Sequence, residues 1–252
     1  MPPNESRPMT PHLHRPALDL VATLAAALLV AGCTAPQKAT EDTGEGQQVS
    51  EAGSTPDAAE KPTKEKPGAK LEKTGIGRDG DYGWVSAIVS NTSSENVGRF
   101  VTVQFNMMDA KGKLVASQDQ VEAFTSETQT LAIGTQVELV DKPKITKVEA
   151  TLGLGDKAST DDMPNLSVGK VKVKQTEYEG RQASFEVKNP APTAQKSARI
   201  GVVCLNKSGK IIGGGSDYPD LIPAKGHVLV EASVITSGKP SHCEAYAAPS
   251  TF

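Results

Sequence analysis

The chain has 252 residues and a mass of 26.4 kDa, room for one or two ordinary domains. Its 27 Lys and Arg against 30 Asp and Glu give a net charge of −3, which argues against a dedicated nucleic-acid binder with its basic excess. Aromatic residues at 4% leave little to line a large cofactor pocket, and a mean hydropathy of −0.35 excludes a polytopic membrane protein.

Residues 1–33 read as an export signal. The stretch through Pro16 carries Arg7, His12, His14 and Arg15, with Glu5 as its only acid. Leu20 to Ala31 follows, twelve residues that are apolar except for Thr23. As a helix this run spans roughly 18 Å, short of the ~30 Å hydrocarbon core, so a signal-peptide core fits better than a membrane-spanning helix. The run closes on Leu29-Val-Ala-Gly-Cys33. That ending resembles the lipobox of bacterial lipoproteins. The resemblance implies a cleaved leader over 1–32, a diacylglyceryl group on the Cys33 thiol, and a membrane anchor on the extracytoplasmic face. Two acyl chains supply the two signals that stable attachment needs. The alternative is that Cys33 is merely a small apolar residue closing the signal.

The next segment has the composition of a tether. Residues 34–73 hold only two large apolar side chains, Val49 and Leu71. Such a stretch cannot bury enough surface to offset its ordering entropy, so a disordered linker is expected over 33–73. Its reach is about 35 Å. The Lys-rich run at 61–70 offers a second reading, contact with anionic headgroups or wall polymers, but the six Lys of the segment face eight acids.

From residue 74 onward the pattern is β. Short apolar runs alternate with Gly, Pro, Asn and Ser clusters. The region is also an internal repeat. Val85-Ser-Ala-Ile-Val-Ser-Asn91 lines up with Ala183-Ser-Phe-Glu-Val-Lys-Asn189. The strand Phe100 to Asp109 matches Arg199 to Asn206, and the turns Ala110-Lys-Gly-Lys and Lys207-Ser-Gly-Lys follow each. Val148-Glu-Ala-Thr151 matches Cys243-Glu-Ala-Tyr246. Val101, Val103, Phe105 and Met107 share one strand face, opposite Thr102, Gln104 and Asn106. Ile200, Val202 and Cys204 take the core side in the second copy, as do Val148, Ala150 and Leu152 on the last strand of the first. Two all-β sandwich units of about 80 residues fit the length.

Phe105-Asn-Met-Met-Asp109, followed by Ala-Lys-Gly-Lys, is similar to the signature of FxLyD-type domains, small immunoglobulin-like modules of bacterial envelope proteins. Met107 and Met108 stand where that signature has Leu and Tyr, and Val202-Val-Cys-Leu-Asn206 departs further. The resemblance implies two tandem immunoglobulin-like sandwiches and no catalytic residues. The expected order is a first sandwich at 74–156, an interdomain linker at 157–166 and a second sandwich at 167–252.

Cys204 aligns with Met107 and Cys243 with Val148. Both Cys thus occupy core-facing strand positions that are apolar in the other copy, which suggests a touching pair in each. With Cys33 lipidated two thiols remain, and an oxidising compartment favours their disulfide. Thirty-eight residues lie between them, so the crosslink is worth roughly 4 kcal/mol in the chain-entropy model. The alternative, a redox or metal-binding dithiol, lacks a Cys-x-x-Cys spacing and suffers from burial.

Other signals are weaker. Gly75-Ile-Gly-Arg-Asp-Gly80 is a literal GxGxxG, yet it lacks the strand before and helix after that a phosphate cradle needs, and it reads as a flexible domain entry. His227 and His242 are the only His after the leader, and His242 adjoins Cys243, so those two side chains point to opposite strand faces. No metal site and no Cys–His nucleophile is expected. Asp161 and Asp162 with Asp156 could hold calcium or form a solvated linker. Asp217 and Asp220, after Gly213-Gly-Gly215, mark either a recognition tip or an irregular crossover. Trp84 is expected in the core rather than as an exposed platform. The expected function is a non-enzymatic binding or scaffold module of the cell envelope, with an envelope protein or cell-wall polymer as partner, no cofactor and no nucleic acid. The alternatives are an accessory subunit of a membrane complex or an envelope hydrolase.

Overall fold

The computed structural model describes residues 68–157, 163–177 and 180–250, all within one compact unit. The leader, Cys33 and the tether as far as residue 67 lie outside the described residues, as do Asp161 and Asp162. No helix of the described residues is long and apolar enough to cross a membrane.

The fold is all-β and antiparallel. The first copy of the repeat supplies β1 (Ala69–Asp79), β2 (Tyr82–Asn91), β3 (Arg99–Met108), β4 (Leu114–Ala123), β5 (Thr130–Glu138) and β6 (Lys147–Lys157). They form two sheets, ordered β1-β2-β5 and β4-β3-β6. The second copy supplies β7 (Ser167–Val168), β8 (Lys172–Gln175), β9 (Arg181–Lys188), β10 (Gln195–Lys196), β11 (Ala198–Leu205), β12 (Ile211–Asp217), β13 (Leu221–Ile222), β14 (His227–Thr236) and β15 (His242–Pro249). Here β8-β9-β14 repeats β1-β2-β5, and β12-β11-β15 repeats β4-β3-β6. A short pairing of Gly213 and Gly214 with Thr236 and Ile235 joins the two halves of the second copy into one curled sheet.

The repeat extends to side-chain detail. Asp109 Oδ1 accepts from the amides of Lys111 and Lys113 at 2.8 and 2.9 Å, and Asn206 Oδ1 accepts from Ser208 and Lys210, both at 3.0 Å. Each turn needs a left-handed residue, and Gly112 (φ 77°) and Gly209 (φ 74°) supply it without steric cost. Asn91 and Asn189 are both buried and cap the amide two residues on. These two Asn satisfy backbone groups where a core strand turns into a loop.

Each copy has its own core. Val101, Val103, Phe105 and Met107 of β3 are fully buried and pack with Val85, Ala87, Val89, Leu131 and Ile133. Val148, Ala150 and Leu152 pack against this cluster, as the alternation indicated. Ile200, Val202 and Cys204 of β11 pack with Phe185, Val187 and Val230 in the second core.

A third cluster joins the copies. Ile88 and Ala132 on the outer face of one sheet meet Val203, Leu205 and Ile211 on the outer face of the other. β2 and β11 are therefore buried on both sides, which is why neither shows the polar alternation of β3.

Two expectations need correction here. The first strand begins at Ala69, not at residue 74, because Ala69 is buried and Leu71 packs on the first core. Gly75 and Gly77 are not a flexible entry but sit within β1 pressed against β12. A Cβ on Gly75 would lie 2.6 Å from the Ile211 carbonyl oxygen, and one on Gly77 2.1 Å from that of Ile212.

The same closeness recurs at Gly201, where a Cβ would lie 2.0 Å from the Ala132 carbonyl oxygen. Backbone cannot rotate aside as a side chain can. Gly201→Ala must separate the two sheets, at an expected cost of about 3 kcal/mol in urea unfolding. A loss under about 0.5 kcal/mol would show that the copies are not pressed together here.

Candidate functional site

The last strand and the entry to the second copy enclose a groove. The segment leading into β8 brings Lys170, β8 itself Lys174, β9 brings Arg181, and the β14–β15 turn and the start of β15 bring Lys239 and His242. The cavity is about 640 Å³, within the usual range for ligand sites and larger than the 350 Å³ pocket beside Arg78. Among the described residues no Asp or Glu lines it. Its apolar side is made of Val171, Val173 and Pro240 together with Cys243.

The wall is held firmly. Cys204 and Cys243 are direct register partners on β11 and β15, with Cα atoms 4.1 Å apart, and they form a disulfide. Met107 and Val148 face each other in the same register in the first copy. The inference from repeat alignment to touching pair thus holds in both copies. Arg181 is fixed by donating to Thr236 Oγ1 and, at 2.9 Å, to the Gly238 carbonyl. Lys174 is paired with Glu231 at 2.8 Å, and His242 lies 3.2 Å from Glu244. Lys170 and Lys239 are exposed and have no ion-pair partner among the described residues.

A second polar cluster lies between the copies. Arg199 of β11 forms an ion pair with Glu122 of β4, both about nine-tenths buried. Arg199 also donates to the Gly134 carbonyl at 3.0 Å, and its guanidinium sits 5.2 Å from the centre of the Tyr218 ring. Burial pushes the Glu122 carboxyl up to about 7, against the opposing attraction of Arg199. Trp84 is buried in the same interface, where a Cβ on Gly214 would come within 3.0 Å of its Cδ1. The Trp84 Nε1 and Ser86 Oγ have no partner among the described residues.

The remaining sequence candidates are scattered. His227 opens β14 opposite Lys188, whereas His242 opens β15 opposite Leu205, and each is exposed. Cys243 is buried beside the exposed His242, as strand alternation requires. Among the described residues no group of three His, Cys, Asp or Glu is placed to hold a metal ion. Gly213, Gly214 and Gly215 lie inside β12 rather than in a loop. The segment after them is a crossover tied to its neighbours: the amides of Ser197 and Ala198 donate to the Asp220 and Pro219 carbonyls.

The groove was not read from the sequence. Its signal was present in Lys170-Val-Lys-Val-Lys174, a charged run at strand period, but Arg181 and Lys239 join it only through tertiary structure.

The class is thus defined at the level of fold, antiparallel β-sandwich copies of immunoglobulin-like type. No family model matches the sequence, and no curated protein matches it. Among solved structures, the crystal structure of red sea bream transglutaminase is similar over 69% of this chain at 12% identity, with a TM-score of 0.22. This chain spans 28% of the length of that one. So slight a likeness carries no functional argument.

Proposed function

We propose that the chain is a lipid-anchored extracytoplasmic lipoprotein that acts as a non-enzymatic binding module of the cell envelope. The observation that carries this reading is the apolar run ending in Leu29-Val-Ala-Gly-Cys33 ahead of a folded β region. The Cys204–Cys243 disulfide supports an oxidising location. The groove supports binding, since its Lys and Arg side chains offer hydrogen-bond donors and positive charge to an anionic ligand. FxLyD-type character of the two copies, a disordered tether and a wall polymer or envelope protein as partner belong to the same proposal.

Cys33→Ser tests the anchor. Detergent-phase partition and intact mass of the wild-type protein are expected to report acylation at Cys33. The variant is expected in the aqueous phase, with its membrane-bound fraction reduced about tenfold, because the two-chain anchor is gone. Unchanged membrane association of Cys33→Ser would refute it.

A further inference from the structure

We infer that the groove beside the disulfide binds a linear polyanion, a polymer that lays successive negative charges along it. The inference rests on the reading of the protein as a binding module and names what that module would hold. Three observations carry it. First, the cationic side chains converge from three places in the sequence, the segment running into β8, the start of β9 and the β14–β15 region. Lysines on the edge strand β8 alone would only discourage strand addition. Arg181 and Lys239 are not on that edge, and they face the same cavity.

Second, the charge is spread rather than focused. Lys170 and Lys174 are four residues apart, up to about 13 Å along an extended chain. A single carboxylate or phosphate engages both only by drawing the two side chains together, whereas successive anionic units engage each cation where it stands. Third, the field of the folded region is polarised. Residues 167–252 carry 11 Lys and Arg against 7 Asp and Glu, a net of +4, while residues 74–156 carry 7 against 11, a net of −4. A polyanion is therefore drawn to the second copy and repelled from the first. The apolar side of Val171, Val173 and Pro240 accommodates the backbone of such a polymer between its charges.

Inorganic polyphosphate is the probe, titrated by fluorescence anisotropy into the full chain purified in detergent at 50 and 200 mM salt. Lys170→Gln combined with Lys239→Gln removes two exposed charges without touching a core residue. Lys207→Gln combined with Lys210→Gln removes the same charge from the β11–β12 turn, outside the groove. The groove variant is expected to bind about tenfold more weakly and with a shallower salt dependence, and the turn variant to lose less than about twofold. Equal losses in the two variants would reduce the effect to net charge and overturn the site. Absence of polyphosphate binding at the lower salt would overturn the ligand class. Phosphatidylglycerol vesicles and neutral dextran serve as parallel arms. Retention on vesicles with the same Lys170 and Lys239 dependence, without polyphosphate binding, would replace the polymer by a membrane surface. Retention on dextran alone would overturn the polyanion while leaving the binding-module reading intact.

Discussion

Arg199→Met is expected to cost about 3–5 kcal/mol at pH 8 and clearly less at pH 5. The reason lies in its partner. Removing one member of a buried ion pair leaves the other charged and desolvated, a larger loss than the pair was worth. Glu122 is that other member, held between the copies with little access to water. Its carboxyl stands at about 7 with Arg199 present and moves higher without that attraction, so as pH falls it takes a proton and the penalty for leaving it unpaired shrinks.

The same titration acts in the unmodified protein. Burial raises the Glu122 carboxyl to about 7 from 4.5, against Arg199 and the weaker donor Gln120. Between those two values the folded protein holds a proton that the unfolded chain has released. This group's contribution is thus fully present below about pH 4.5 and is lost as pH rises through 7, by about 3 kcal/mol. Glu122→Gln resembles the protonated form and should flatten that part of the stability profile. Urea unfolding of wild type, Arg199→Met and Glu122→Gln at pH 5 and pH 8 measures both effects. Identical losses for Arg199→Met at the two pH values would mean that Glu122 is not the group left stranded.

These experiments bear on a feature that the sequence conceals. Strand alternation made the core of each copy legible, because Val101, Val103, Phe105 and Met107 alternate with polar neighbours and the period fixes the face. Repeat alignment added the Cys pair, since Met107 and Val148 mark the same register without a crosslink. The packing of one copy on the other was not legible in this way. Its strands, such as Ile200-Gly-Val-Val-Cys-Leu205, are apolar on both faces, and a run of that kind announces burial without naming the partner. Gly75 and Gly77 read as a flexible entry in the linear sequence, and Gly201 as one more residue of a strand. In the fold they are places where two backbones meet.

The groove was hidden for a related reason. Its charges lie on segments far apart in the chain, and a net charge near zero averages the basic second copy against the acidic first. The buried Glu122 likewise gave no sign of itself. It stands in the polar run Ser117-Gln-Asp-Gln-Val-Glu122, and only the arrival of β11 removes it from water.

Cys204→Ala combined with Cys243→Ala is expected to lower stability by about 4 kcal/mol under oxidising conditions. The crosslink joins β11 to β15 across a separation of 39 residues, and loss of the closed loop returns that entropy to the unfolded chain. Two small cavities add to the cost, because both Cys are buried in the second core. Cys204→Val with Cys243→Val isolates the first contribution, since it refills the space without restoring the link. The first copy offers the converse. Met107 and Val148 are direct register partners, so Met107→Cys with Val148→Cys places two thiols where the second copy has its disulfide. Oxidation is expected to close that bond and to raise the unfolding midpoint. Thiol counting on denatured protein, before and after reduction, reads both variants on one scale. Two free thiols in the oxidised wild type, with Cys33 blocked, would break the argument from repeat to crosslink, because the two copies would then share a register without sharing a contact.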